Sequence, residues 1–201
     1  MSDLAPDRRV ARTREAIRAA FNSLLFARGY DDLSASDIAE AANVGRSTFY
    51  EHFQGKEEVL ATTLVPVLTP LADACVAAAP DRRLEGVVSH FWDNRRMAKA
   101  MMSGRAHGVM ARSLAGLIEA RLPDDGVIPG ALLAVQIAHG QLALIEEWLT
   151  GRHGCTAGEI AAALQATGRA AVAAGREHPG VWDAATEGDR RKSLASPESP
   201  C

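Results

Sequence analysis

From residue 7 to residue 174 the apolar positions recur three and four apart and rarely alternate. Ala is abundant, and the β-branched alternation of a half-buried strand is scarce, so the chain reads as helical almost throughout. With 201 residues and 47% hydrophobic content, it can bury a real core, as one globular unit or as a small head joined to a larger body. The fold class expected is all-α.

A first amphipathic helix is expected over 7–27, where Ile17, Phe21, Leu24, Leu25 and Phe26 fall at helical spacing and Arg28 and Gly29 supply the stop. Ser34 followed by Asp37 opens a short helix over 34–42, with Ile38 and Ala39 facing inward. Asn43 can close it in a left-handed turn. Gly45 then opens a second short helix carrying 46–53, which Gln54 and Gly55 break. A long helix over 56–79 contains Pro66 and Pro70, each of which removes a backbone donor and crowds the turn before it, so a kink or break is expected there. Further helical blocks follow at 82–102, 105–122, 130–150 and 159–174. The end is rich in Pro, Ser, Glu and Arg and reads as a mostly flexible tail, with Trp182 available to dock.

A net charge of -3 argues against binding nucleic acid with the whole surface, so such a partner has to meet a local basic patch. One exists: RRVARTREAIR, from Arg8 to Arg18, carries five Arg against one Glu. Arg8, Arg9, Arg12 and Arg14 sit at the end that would approach phosphates. Cys75, Cys155 and Cys201 are widely spaced and odd in number, which gives neither a disulfide framework nor a metal site and suits a reducing cytoplasm. The sequence has no apolar run long enough to cross a membrane and no secretory h-region, so a cytoplasmic location is expected. Catalytic signatures are missing as well: there is no HExxH, GxSxG, P-loop or dinucleotide fingerprint, and Glu146 and Glu147 point apart on their helix. No enzyme activity, metal or cofactor is expected.

The stretch NVGRSTFYEHFQGKEEVL, from Asn43 to Leu60, is too polar for core and too aromatic for an ordinary solvent face. Two short helices joined by a tight turn form a helix-turn-helix, whose second helix lies in the major groove. Arg46, Ser47 and Tyr50, at i, i+1 and i+4, share an outward face. Phe49 and Phe53 occupy another and can pin the helix to the core.

These residues carry a resemblance. The run SASDIAEAANVGRSTFYEHFQGKEEVL, with the upstream Arg-rich helix and its Phe-x-x-Leu-Phe-x-x-Gly-Tyr ending, resembles the DNA-binding head of TetR-family transcriptional regulators over about residues 10 to 62. The resemblance implies that Arg46, Ser47 and Tyr50 face bases or nearby backbone, that Thr48 and His52 meet the backbone, that Ser34 and Ser36 touch DNA, and that Lys56 holds a phosphate. With Arg14 and the backbone at Gly45, these make up the expected DNA-binding set. It implies an architecture too: a three-helix head over 7–55, a helical effector-binding and dimerisation body over 56–175, and the tail over 176–201.

In the body, Phe91, Trp92, Met101, His107, Met110 and His139 are candidates for a small-molecule pocket, the alternative being ordinary core. The last two helices are apolar on more than one face and need a neighbour to cover them. The resemblance assigns that role to a second copy, through Leu142, Ile145, Trp148, Leu149 and Leu164, with Ala161, Ala162, Ala170 and Ala171 permitting close approach. Packing within the chain is the alternative. The function expected is a DNA-binding repressor acting as a homodimer on a double-stranded operator and released by a small-molecule effector. An effector-independent DNA-binding protein, or an all-helical interaction module or enzyme, remains the alternative.

Overall fold

The computed structural model describes residues 4–79, 81–124 and 126–176; Trp182 and the rest of the expected tail beyond Arg176 lie outside them. Among the described residues there are nine helices and no strand: α1 Leu4–Arg28, α2 Ala35–Ala41, α3 Arg46–His52, α4 Lys56–Ala74, α5 Arg82–Asp93, α6 Arg95–Ser103, α7 Ala106–Glu119, α8 Gly130–Trp148 and α9 Ala157–Arg176. Helices α1 to α3 pack on one another. Helix α4 leaves them and runs along α7, which packs on α8, while α9 lies against α5, α8 and α4. None of these helices is long and apolar enough to cross a membrane.

The helical spacing in α1 does what its period requires: Ile17, Phe21 and Leu25 are buried, while Arg8, Arg9, Arg12 and Phe26 are exposed. Ser34 is the N-cap of α2 in a reciprocal capping box. Its backbone N–H donates to Asp37 Oδ2 at 2.9 Å, and the Asp37 N–H donates back to Ser34 Oγ at 3.2 Å. These bonds satisfy amides that a helix start leaves without partners. The hydrogen bonds from Ser34, helped by Arg28, hold the Asp37 carboxyl below the usual carboxylate range.

Three expectations need correction. Helix α4 passes unbroken through Pro66 and Pro70. Leu60, Leu64, Leu68 and Leu71 are buried along both halves of it, so packing holds the backbone where local sterics would bend it. Thr62 Oγ1 on the carbonyl of Glu58 and Thr69 Oγ1 on that of Val65, at 3.0 and 2.7 Å, occupy oxygens in the flanking turns. Second, α4 stops at Ala74 rather than 79, and side chains of α9 hold the segment that follows: Gln165 Nε2 donates to Ala79 O at 2.7 Å and Arg169 Nη1 to Ala78 O at 3.4 Å. Third, the block 82–102 is two helices. Asn94 sits between them at φ -108°, ψ 28°, and its amide donates to the His90 carbonyl at 3.0 Å. Such local side-chain bonding competes with helix continuation.

The seam between body elements is tight. Asp73 on α4 receives Arg121 at 2.6 Å and Arg83 at 3.1 Å, so one carboxylate ties α4 to the end of α7 and the start of α5. On α9 a Cβ at Gly168 would lie 3.1 Å from Cys75 Sγ, and one at Gly175 would lie 2.6 Å from Leu133 Cδ2, so a larger residue at either would make its neighbour shift. Burial pushes the Cys75 thiol up to about 11, opposed by a hydrogen bond from Gln141, and keeps it protonated and inert.

Ser34→Ala is expected to lower unfolding free energy by about 1 kcal/mol at neutral pH in urea denaturation. The Asp37 carboxyl titrates lower in the folded than in the unfolded chain, so its contribution is present at neutral pH and is lost as pH falls through that lowered value. The gap between the two proteins should therefore narrow below about pH 4.

Candidate nucleic-acid interface

The reading surface is built from the turn outward. Asn43 takes the left-handed conformation at φ 53°, which Asn tolerates better than most residues, and reverses the chain after α2. Backbone bonds from Asn43 N to Glu40 O and from Val44 N to Ala39 O, each 3.0 Å, fix the turn. Gly45 is the extended N-cap of α3. Phe49 is fully buried, and Phe53, just past the helix, is 1% exposed. Their rings lie 6.1 Å apart, and the edge of Tyr50 meets Phe49 at 5.4 Å.

With Phe49 inward, helical geometry leaves the opposite side of α3 free. Arg46, Ser47 and Glu51 are exposed, and Tyr50 is 58% exposed. Thr48 and His52 flank them, half-buried. The arrangement presents a guanidinium, hydroxyls and a phenol in one row, the side-chain types that read base edges and contact phosphate. Glu51 on the same surface repels phosphate and narrows where a duplex can lie. Ser34 and Gly45 are exposed at the starts of α2 and α3, and Ser36 is half-buried. Ser34 Oγ is engaged with Asp37, so what Ser34 offers outward is chiefly the helix start.

Arg14 and Lys56 make contacts within the head that the sequence did not indicate. Arg14 Nη1 donates to the His52 carbonyl at 2.6 Å, and its guanidinium lies 4.3 Å from the centre of the Phe53 ring. It therefore caps the C-terminal end of α3, where carbonyls lack partners. Lys56 Nζ donates to the carbonyls of Tyr30 and Leu33, at 3.1 and 2.7 Å, and lies 4.5 Å from the centre of the Tyr30 ring. Arg14 thus ties α1 to the end of α3, and Lys56 ties the start of α4 to the loop after α1. Their targets lie 38, 26 and 23 residues away in sequence, so no local pattern shows the pairing. Asn43 is an additional exposed polar residue in the turn before α3, signalled only as a turn former by the sequence.

The expected body residues separate. Phe91, Met101 and Met110 are packed in the core. His107 on α7, half-buried, and His139 on α8, exposed, face one another edge to face at 5.8 Å. Trp92 lies 4.8 Å from Trp148 and borders an open cleft. The expected interface set, Leu142, Ile145, Trp148, Leu149 and Leu164, is buried at 3% exposure or less within a single copy, where it packs as core. Helix α8 is apolar on two sides, and the inner side holds Leu142, Ile145 and Trp148. Its outer side shows Leu132, 63% exposed, and Val135, 47% exposed, with Gln136, His139 and Ala143. Beside it α9 exposes Ala162, Ala166, Ala170 and Ala173. Among the described residues, no three His, Cys, Asp or Glu side chains gather as metal ligands would.

Residues 17–63 match the family described as bacterial regulatory proteins, tetR family. The HTH-type transcriptional regulator TcmR of Streptomyces glaucescens is 32% identical over 128 residues, 63% of this chain and 48% of that protein. An uncharacterized HTH-type transcriptional regulator, YxbF of Bacillus subtilis (strain 168), is 39% identical over 77 residues, 37% of this chain and 20% of that protein. The chain thus spans less than half the length of the curated relatives it matches. Among solved structures, a TetR-family regulator from Streptomyces coelicolor A3 superposes with a TM-score of 0.55 at 22% identity, covering 81% of this chain and 96% of that one. A TetR transcriptional regulator from Streptococcus agalactiae 2603V gives 0.53 at 23% identity, covering 82% and 97%.

Lys56→Met is expected to lower the chain's stability by roughly 1–3 kcal/mol, because two carbonyls lose a charged donor. Chemical denaturation measures it. A lysine serving only as a phosphate contact would leave unfolding unchanged.

Proposed function

We propose that the protein is a TetR-like transcriptional regulator that binds operator DNA through α3, on the support of the family match over residues 17–63 and a fold shared with solved TetR regulators. The observation that carries the reading is the pinning of α3 by fully buried Phe49, which turns Arg46, Ser47 and Tyr50 to solvent together. In the major groove Arg46 takes a guanine edge in a bidentate way, Tyr50 and Ser47 contact bases or adjacent sugar, and Thr48, His52, Ser36 and the helix starts at Ser34 and Gly45 set register on phosphates. Arg14 and Lys56 act by positioning. Arg8, Arg9 and Arg12, exposed along the start of α1, add sequence-independent attraction to the backbone.

A second copy completes the DNA-binding unit. Large apolar residues left exposed on one face call for a partner surface. Leu132 and Val135 on α8, beside the exposed alanine stripe of α9, supply that face and let two copies approach closely. A twofold dimer then places its heads in successive major grooves of a near-palindromic operator, about 34–36 Å apart or a multiple of that. The head over 7–55 and the body over 56–175 are the working units. The output is repression, relieved when a small-molecule effector binds the body better in a form whose heads are wrongly spaced.

Electrophoretic shifts on the DNA upstream of its own coding sequence test the reading. Arg46→Ala is expected to weaken specific binding by ~1–3 kcal/mol, roughly 5- to 150-fold, and Tyr50→Ala to weaken it too, with folding unchanged. Wild-type binding should fall steeply with salt. No binding at low salt, or full-strength binding by both variants, would end the proposal.

A further inference from the structure

A cleft of about 770 Å³ opens where the end of α1 meets the α5–α6 corner, so that one wall belongs to the head and the other to the body. Its size falls within the roughly 300–1,000 Å³ common for small-molecule sites. The head contributes Phe26, a phenyl ring 63% exposed. The body contributes Trp92, Met97 and Ala100, with Arg95 and Arg96 at the rim. Trp92 is held in place by Trp148, 4.8 Å away, and the Arg95 guanidinium lies 5.2 Å from the centre of the Trp92 ring.

The charges make the cleft selective. Among the described residues, neither Arg95 nor Arg96 has a hydrogen-bond or ion-pair partner, whereas Arg28 is paired with Asp37 and Arg105 with Asp31. Asp93 is the carboxylate on the lining and offsets one of the two guanidiniums, leaving an excess of one positive charge. A guanidinium fork suits a carboxylate better than it suits a neutral polar group. Aromatic and thioether side chains suit a flat ring. Gly29, Met97 and Ala100 also border a smaller recess of about 120 Å³, lined on its far side by Arg28, Asp31 and Asp32.

We propose that this seam is a binding site for an aromatic carboxylate of about two fused rings, its rings against Phe26, Trp92 and Met97 and its carboxylate on Arg95 and Arg96. The ligand touches the head and the body at once, next to the Arg105–Asp31 ion pair of 3.1 Å that joins them. Filling the seam changes how the two parts sit, and its consequence for DNA, though not the binding itself, rests on the regulator reading above.

Calorimetric titration of the full chain with 2-naphthoate, with no DNA present, tests the site apart from that reading. The expected result is binding of 2-naphthoate, with much weaker binding of the neutral 2-naphthylmethanol. The double variant Arg95→Gln, Arg96→Gln should lose on the order of tenfold in affinity for the carboxylate, and Phe26→Ser several-fold, since one charged contact or one ring contact is worth about that. These are exposed positions, so melting temperatures should stay at the wild-type value. No binding of 2-naphthoate by the full chain, or wild-type affinity in either variant, overturns the assignment.

Discussion

Burial of Phe49 is the constraint from which the rest of the head follows. A seven-residue helix cannot hold itself in water, so its orientation is set by what it docks. Phe49 and Phe53 supply that docking, and Arg14 locks the far end by capping the His52 carbonyl above the Phe53 ring. Once those three are placed, nothing about the outward row from Arg46 to Tyr50 remains adjustable except side-chain rotamers. The proposed base reading needs that rigidity, because a loosely held helix gives up geometry and affinity together.

The same economy of contacts ties the head to the body. Lys56 opens α4 and holds the carbonyls of Tyr30 and Leu33, so the helix that enters the body begins by gripping the loop between α1 and α2. Burial and the nearby Glu57 push the Tyr30 hydroxyl up to about 12. Helix α4 is continuous through two prolines and so links the head to the body by one helix. The seam between Phe26 and Trp92 joins the end of α1 to the α5–α6 corner, and the proposed ligand would touch both.

The head was more legible than the body, for a physical reason. Its features are local: a capping pair three residues apart, an Asn in a left-handed turn, aromatics at i and i+4. Each leaves a mark within one or two helical turns. The body depends on which side of an all-round apolar helix faces which neighbour, and sequence spacing does not say. Leu142, Ile145 and Trp148 have the right spacing for an interface and also for a core, and the fold put them in the core. The single block expected over 82–102 failed at Asn94, whose side chain found a carbonyl one turn back. The continuous α4 reversed a sound local rule, since the burial of its leucines outweighed the cost of two missing donors.

What the sequence by itself determined was the helical character of the chain, the helix-turn-helix with its outward Arg46, Ser47 and Tyr50, and the resemblance those residues carry. Such properties depend on neighbours within a few positions. Tertiary structure alone decided that Arg14 and Lys56 are internal clamps, that α8 turns Leu132 and Val135 outward, and that Phe26 faces Trp92 across a cleft. Those pairings join residues tens of positions apart, and only the packing of whole helices brings them within contact distance.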